Sequence, residues 1–340
     1  MKLKDFAKHV GLSPTTVSRA LSGYPEVSEV TRARVTEEAA RLGYRPNVNA
    51  VRLKTGRAGA IGVVMGRAGE FHFAEFMAGM AERLVAEETD ILVIPMSDPD
   101  QDDEMELYRR LVESRRVDAI IVHSPKPSDP RIALLHELSM PFLVHGRSDI
   151  DVPHAWLDID NEGAIRRATS HLIDLGHRRI AMINGRPGAT YAIHRDNGFR
   201  GALQSGGIEP DPQLLASGNF TDELGFRFAR SFLEQPNPPT AIVAGSMMTA
   251  LGVYRAARSL GLQVGRDVSV IAHDDVFPYL TADNMAPSLS ATRSSMRAAG
   301  TRCADLVLQL LAGRSLTEIH ELWPVELILR ESTAAAPSPR

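Results

Sequence analysis

Cysteine is almost absent from these 340 residues: Cys303 stands alone, so no internal disulfide can form, as suits a chain from a reducing compartment. Long apolar runs are missing as well. None approaches the roughly 20 residues that cross a bilayer, and Met1-Lys2-Leu3-Lys4-Asp5 has no signal-peptide core, so a cytoplasmic chain with no membrane partner is expected. Neither the Gly-x-x-x-x-Gly-Lys-Ser/Thr phosphate loop nor the Gly-x-Ser-x-Gly nucleophile elbow occurs. Asp158-Ile159-Asp160-Asn161-Glu162-Gly163 begins like a calcium loop, but its twelfth position is Thr169 where a bidentate Glu is needed. His171 and His177 are six apart, a poor spacing for two metal ligands on one helix. The expectation is therefore a protein without catalytic residues, metal or cofactor, and not an enzyme.

What is present is organised in two parts. The net charge of −4 conceals an asymmetry: residues 1–57 hold eleven Lys/Arg against five Asp/Glu, while the remainder carries an acidic excess of ten. A small basic module on a larger acidic body points to a polyanion as the module's partner. In that module Leu3, Phe6, Ala7 and Val10 repeat at helical spacing, and Gly11 ends the run. Ser13 is placed to cap a second helix, Pro14 to begin it, and Val17, Ala20 and Leu21 to bury one stripe. Thr15, Thr16, Ser18 and Arg19 are left on the other faces. Ser28 is placed to cap a third helix with Val35, Ala39 and Leu42 inward and Gly43 as its stop. Three short helices with a tight first turn describe a helix-turn-helix unit over 1–43. Ser and Thr hydroxyls suit phosphates, and an Arg can bridge the O6 and N7 edges of guanine.

Asp5-Phe6-Ala7, Gly11-Leu12-Ser13, Thr16-Val17-Ser18-Arg19, Val27-Ser28 and Gly43-Tyr44-Arg45-Pro46-Asn47 resemble the lactose-repressor family of bacterial transcription regulators. The resemblance implies that Pro14, Thr15 and Arg19 face base edges and that Thr16, Ser18, Ser28 and Thr31 hold phosphates. Lys2 stands where the family often caps the first helix with Thr or Ser, which predicts fraying there. Residues 44–59 read as a linker by composition; in the family they form a hinge helix that orders on DNA. Leu53 then occupies the position of the minor-groove wedge, with Ala50 on the same face and Asn47 and Lys54 as further DNA contacts.

From Ala60 on, short apolar runs alternate with helical patterns. Ala60–Met65, Ile91–Ile94, Ala119–Val122 and Pro141–Val144 form one block, and Ile180–Ile183, Ala241–Ala244 and Val268–Ala272 a second. The intervening helices are expected at 76–86, 103–114, 131–138, 162–175, 197–205 and 249–260. This predicts an α/β core of two doubly wound parallel-sheet subdomains over 60–332, with a disordered Ala/Pro/Ser-rich tail at 333–340. The pattern does not say how often the chain crosses between the subdomains. The resemblance, which runs to Arg330, implies a two-lobed core like the type I periplasmic sugar-binding proteins. Ligands of such sheets meet the carboxyl ends of the strands, where Arg147, Asp158, Asp160 and Asp274-Asp275 fall. Arg195 matches the arginine these regulators use for sugar hydroxyls. Phe71 and Phe73 are expected to stack on a sugar ring. Ser246 is a further candidate contact, in Ser246-Met247-Met248-Thr249-Ala250-Leu251-Gly252, where the family commonly has Asn-Asp before a Met-Ala-Leu-Gly helix and this chain lacks that amide and carboxylate.

His145-Gly146-Arg147-Ser148, Leu157-Asp158-Ile159-Asp160-Asn161 and Ala272-His273-Asp274-Asp275-Val276 look most like the α-glucoside-operon repressors of the family. The expected function is a dimeric repressor on a near-palindromic double-stranded operator, released when a small sugar enters the cleft. A regulator using a co-repressor or protein partner, or a solute-binding protein without a DNA role, are the alternatives.

Overall fold

A computed structural model of the chain describes residues 1–45, 56–65, 71–96, 103–274 and 276–337, with Phe71 and Asp274 described by backbone alone. Asn47, Ala50, Leu53 and Lys54, the expected hinge contacts, lie outside the described residues. The chain divides into two units, Met1–Ala58 and Gly59–Arg340.

The smaller unit has three helices, α1 (Leu3–His9), α2 (Pro14–Leu21) and α3 (Glu29–Arg41). Gly11 turns the chain at φ +68°, a left-handed conformation that costs glycine little. The Ser13 hydroxyl accepts from the Thr16 N–H at 3.0 Å, closing the start of α2 where Pro14 needs no partner. Ser28 does the same for Thr31 at the start of α3, whereas Lys2 gives α1 no side-chain cap. Phe6, Ala7, Val17, Ala20, Val35 and Ala39 form the core. Leu42, expected inside, is 37% exposed, because α3 ends one residue earlier and the chain turns there. Tyr44 takes the inward place, its ring stacked on Phe6 at 4.4 Å.

The larger unit contains two six-stranded sheets. The first runs β11 (His320–Trp323), β5 (Ala155–Ile159), β4 (Phe142–His145), β3 (Ala119–His123), β1 (Ala60–Met65) and β2 (Asp90–Pro95), with every neighbour pair parallel. The second runs β12 (Glu326–Ile328), β10 (Ser290–Arg293), β9 (Ser269–Asp274), β8 (Ala241–Ala244), β6 (Ile180–Asn184) and β7 (Leu215–Ser217). Only β12 runs antiparallel to its neighbour among these pairs. Parallel strands need crossover helices, which cover both faces of each sheet. α4 (Phe71–Leu84) and α11 (Met296–Leu311) cover one face of the first sheet, α5 (Glu104–Glu113) and α6 (Pro130–Glu137) the other. α7 (Asn161–Asp174) and α8 (Thr190–Ser205) cover one face of the second sheet, α9 (Asp222–Leu233) and α10 (Met247–Ser259) the other.

The sheets define two lobes, and the chain passes between them three times, after β5, after β10 and after β11. The first and third passages are tied together: Asp160 N–H donates to Trp323 O at 2.8 Å, and Arg167 to Val325 O at 2.6 Å. The tail is not the disordered segment its composition suggested, as far as residue 337. Ser332 is buried, accepting from Ser290 N–H at 2.8 Å and donating to Val270 O at 2.6 Å. Farther on, Ala334 N–H donates to Ser269 Oγ and Ala336 N–H to Leu175 O, the carbonyl that follows α7. Backbone groups, which composition does not weigh, hold this segment in place.

Candidate functional site

The parallel strands of both sheets point their carboxyl ends at one cleft between the lobes. It is lined by His72, His123, Ser124, Pro125, His145, Gly146, Asp158, Ile159, Asn161, Arg186, Tyr191, Arg195, Phe220 and Met296. Counting its open mouth it encloses about 660 Å³, a size suited to a small molecule. Arg195 is its buried cation. From α8 its Nε donates to Asn161 Oδ1 at 2.7 Å and its Nη1 to Gly245 O at 2.6 Å, with Tyr191 and Phe220 rings at 5.3 and 5.6 Å. Gly245 is needed for this arrangement, since a Cβ there would lie 2.6 Å from the Phe220 ring. Asp158 sits opposite, accepting from Arg147 Nε at 2.8 Å and from Ile159 N–H at 2.8 Å. Burial raises the Asp158 carboxyl above its usual range, and the Arg147 guanidinium opposes the rise.

Three imidazoles crowd the first lobe's side of the cleft. His123 and His145, at the ends of β3 and β4, place their Nδ1 atoms 2.9 Å apart. His145 stacks on Phe76 at 4.5 Å, and His72 lies over His123 at 6.3 Å. Burial drives His123 well below its ordinary value, helped by His145, His72, Arg186 and Arg131. Burial and His72 lower His145 to about 4. Both rings are neutral at physiological pH. The loop after β3 is anchored from beneath by Arg131, whose Nη1 and Nη2 donate to the carbonyls of His123 and Ser124 at 3.4 and 3.3 Å. Arg131 is itself held by buried Asp129 and by Glu104. Gly146 packs on this loop at φ +118°, where a Cβ would meet Pro125 at 2.5 Å.

Among the described residues two sets of hydrogen bonds join the lobes across the cleft, beside an edge-on contact of the His72 and Phe220 rings at 6.4 Å. Pro125 O in the first lobe accepts from both N–H and Oγ1 of Thr190 in the second, at 2.9 and 3.0 Å. Arg147 reaches His194 of α8 at 3.4 Å. Beneath the cleft His273 is buried and bonded to Thr292 and to Ser294 of the second passage; burial, with Arg195 nearby, keeps it uncharged.

Of the charged residues that the sequence places at the ligand ends of the strands or matches to sugar contacts, Asp158 and Arg195 line this cleft. Arg147 stands behind Asp158, 5.8 Å from the Trp156 ring centroid, and positions that carboxylate. Asp160 caps α7 through Gly163 N–H at 2.8 Å and meets Arg167 at 3.4 Å, in the first passage between lobes. Ser246 caps α10 through Thr249 N–H. Phe71 and Phe73 belong to the first turn of α4 and not to a loop; Phe73 packs on the core and the edge of His123. Asp274 is the last residue of β9. His72, His123, His145, Asn161, Tyr191 and Phe220 were not singled out from sequence. A sequence signal was present for two of them: His123 and His145 each follow a short apolar run.

In the smaller unit, helical geometry at about 100° per residue puts Thr15, Ser18 and Arg19 on the face opposite buried Val17 and Ala20. Pro14, Thr15, Arg19 and Ser28 are exposed, and Thr16, Ser18 and Thr31 partly so. Ser13–Thr16 and Ser28–Thr31 are hydroxyl pairs, 2.8 and 2.9 Å apart. One proton of each pair is used between the hydroxyls, which leaves one O–H per pair for an outside acceptor. Each pair also sits at a helix N-terminus, where backbone N–H groups favour anions.

Together these units define a class: a DNA-reading helix-turn-helix head on a chain whose core is a two-lobed small-molecule receptor. Residues 2–47 match the profile of bacterial regulatory proteins of the lacI family, and residues 58–322 that of periplasmic binding proteins and the sugar-binding domain of the LacI family. The chain is 45% identical to the HTH-type transcriptional regulator AglR of Rhizobium meliloti (strain 1021), over 99% of this chain and 95% of the relative. It is 36% identical to the HTH-type transcriptional regulator RafR of Escherichia coli, over 99% and 100% of the two chains. The lac repressor dimer bound to operator and the anti-inducer ONPF superposes with a TM-score of 0.84 at 27% identity, covering 98% of this chain and 99% of that one. A CelR–cellobiose complex aligns at TM-score 0.71 and 28% identity, over 98% and 99%. The chain belongs to the lactose-repressor family and is a DNA-binding transcriptional regulator, not an enzyme. Among the described residues no helix is long and apolar enough to cross a membrane.

Proposed function

We propose that this protein is a cytoplasmic repressor of a carbohydrate uptake or catabolism operon, that its effector is a sugar of the α-glucoside class, and that the sugar releases it from DNA. The observation that carries this reading is the cleft, where Arg195, Asn161 and Asp158 face aromatic rings of Tyr191, Phe220 and the histidines. Carboxylates and guanidinium groups bridge neighbouring hydroxyls by charge-assisted bonds, while rings cover the apolar face of a pyranose. Similarity to a regulator solved with cellobiose, a β-linked disaccharide, supports a sugar as the ligand; the α-linkage rests on the resemblance of the motifs around Arg147, Asp158 and Asp274.

As a homodimer the protein would present two heads to two half-sites of a near-palindromic operator. Pro14, Thr15 and Arg19 read bases, Thr16, Ser18, Ser28 and Thr31 hold phosphates, and Leu53 with Asn47, Ala50 and Lys54 engages the minor groove. The sugar must bind the DNA-incompetent state more tightly, and DNA then weakens the sugar reciprocally. Fluorescence anisotropy tests this on a duplex selected from a randomised library, titrated with and without maltose, trehalose and sucrose. Weakened DNA binding is the expected result. Strengthened binding would make the sugar a co-repressor, and no change with any sugar would refute the effector assignment.

A further inference from the structure

Sugar recognition as described above does not by itself account for two imidazoles placed nitrogen to nitrogen. At 2.9 Å the Nδ1 atoms of His123 and His145 are hydrogen-bonded, so one of them carries a proton and the other does not. A neutral imidazole has a single N–H, which fixes the far side of each ring. The ring that donates through Nδ1 has a bare Nε2, an acceptor; the ring that accepts has an Nε2–H, a donor. Among the described residues neither Nε2 has a hydrogen-bond partner, and both rings line the cleft.

We propose that His123 and His145 work as one proton-sharing unit, which offers the ligand one donor and one acceptor and thereby selects an uncharged polyol over an anionic sugar. This deepens, and rests on, the sugar reading of the same cleft. A hydroxyl both donates and accepts, so a neutral sugar satisfies both Nε2 atoms, whereas a carboxylate or phosphate oxygen can only accept. A third proton on the pair would turn both Nε2 atoms into donors, the pattern an anion needs. The surroundings oppose that proton. His72 of α4 lies over His123, Arg131 of α6 stands behind it, and Arg186 and Arg195 face the same space from the other lobe. Asp158, the carboxylate lining the cleft, is engaged by Arg147.

The test uses the full-length protein. In histidine-15N-labelled samples at pH 6, where an ordinary imidazole is mostly protonated, the long-range 15N–1H spectrum should show these two rings neutral and in opposite tautomers. His123→Asn and His145→Asn samples assign the signals. An imidazolium in either ring, or the same tautomer in both, overturns the pair. Calorimetry with maltose, trehalose and sucrose against glucose 6-phosphate and glucuronate tests selection. The neutral sugar should bind at least roughly ten-fold tighter than either anion, and His123→Phe or His145→Phe should each lower its affinity roughly ten-fold. The double variant should be little worse than either single one, because each loss already undoes the shared pattern. Additive losses, seen in the Asn variants also, overturn the unit. If the spectra show the pair but no neutral sugar binds the wild type, the sugar reading falls and selection with it. If a neutral sugar binds while both rings share one tautomer, the pair alone falls.

Discussion

Replacing Arg131 by Met removes the ion pair with Asp129 together with the guanidinium's bonds to Glu104 and to the carbonyls of His123 and Ser124. Asp129 is fully buried and Arg131 nearly so, and the two are joined by bonds of 2.8 and 2.5 Å. Removing one partner of a buried pair costs about 3–5 kcal/mol, mostly because a charge is left behind. Asp129 would keep the N–H groups of Lys126 and Arg131, at 2.9 and 3.0 Å, which places the loss near the lower end, about 3 kcal/mol at pH 7. The pH dependence carries the sharper signature. In the wild type burial raises the Asp129 carboxyl, but the Arg131 guanidinium, with the N–H groups of Lys126 and Arg131, more than offsets this and holds it below its ordinary value. Its contribution is therefore present above a pH of about 3.9 and lost as pH falls through the folded-state value. Without the Arg131 guanidinium the burial effect loses its main opponent, the folded-state value rises, and the variant loses less stability than the wild type as pH falls from 7 towards about 4. The difference between the two proteins should therefore narrow on acidification. Adding Asp129→Asn to the variant should restore about 1–2 kcal/mol. Urea unfolding followed by tryptophan fluorescence reads the relevant unit, since Trp156 and Trp323 both lie in the larger one. A loss under about 1 kcal/mol at pH 7, or one that does not vary with pH, would refute the reasoning.

Thr190→Val keeps the N–H bond to Pro125 and removes the hydroxyl bond, so an effector that favours the closed cleft should bind about five-fold more weakly by calorimetry. Equal affinity would mean that this interlobe bond does not hold the liganded state. Arg19→Ala should cost roughly 1–3 kcal/mol of operator binding and relax preference at one base pair per half-site; a uniform loss across sequences would make it a phosphate contact. Ser13→Ala removes the cap of α2 and should cost about 1 kcal/mol, seen as faster amide exchange within that helix. Ending the chain at Glu331 deletes the bonds made by Ser332, Ala334 and Ala336 and should destabilise the larger unit by about 3 kcal/mol in the same urea assay, where a truly solvated tail would leave it unchanged.

The helix-turn-helix unit was readable because its signals are local: Ser13 and Ser28 cap where they should, and Val17 and Ala20 turn inward on period. The parallel strands were readable because, covered on both faces, they are continuous apolar runs such as Ala241–Ala244. Short β10 and β12 were not expected from sequence; they depend on pairing partners far along the chain. The cleft was legible only in part. Arg195 was found by its matching position, but Asp160 and Ser246 carry the same polar atoms and spend them on helix caps, a distinction that needs the backbone. The apolar runs before His123 and His145 place both at strand ends, but a lone His there does not distinguish a ligand site from a satisfied core residue, and their chemistry arises only when β3 and β4 lie side by side.

The three passages between the lobes have a mechanical consequence. A body hung on one strand can swing and swivel; hung on three, two of them bonded to each other through Asp160 and Arg167, it keeps little more than one axis of rotation. Events in the cleft are then transmitted as a turn of nearly fixed direction, whatever the ligand that causes them. A single backbone cut in any one passage should leave that axis in place, much as a gate still swings true after losing one of three pins.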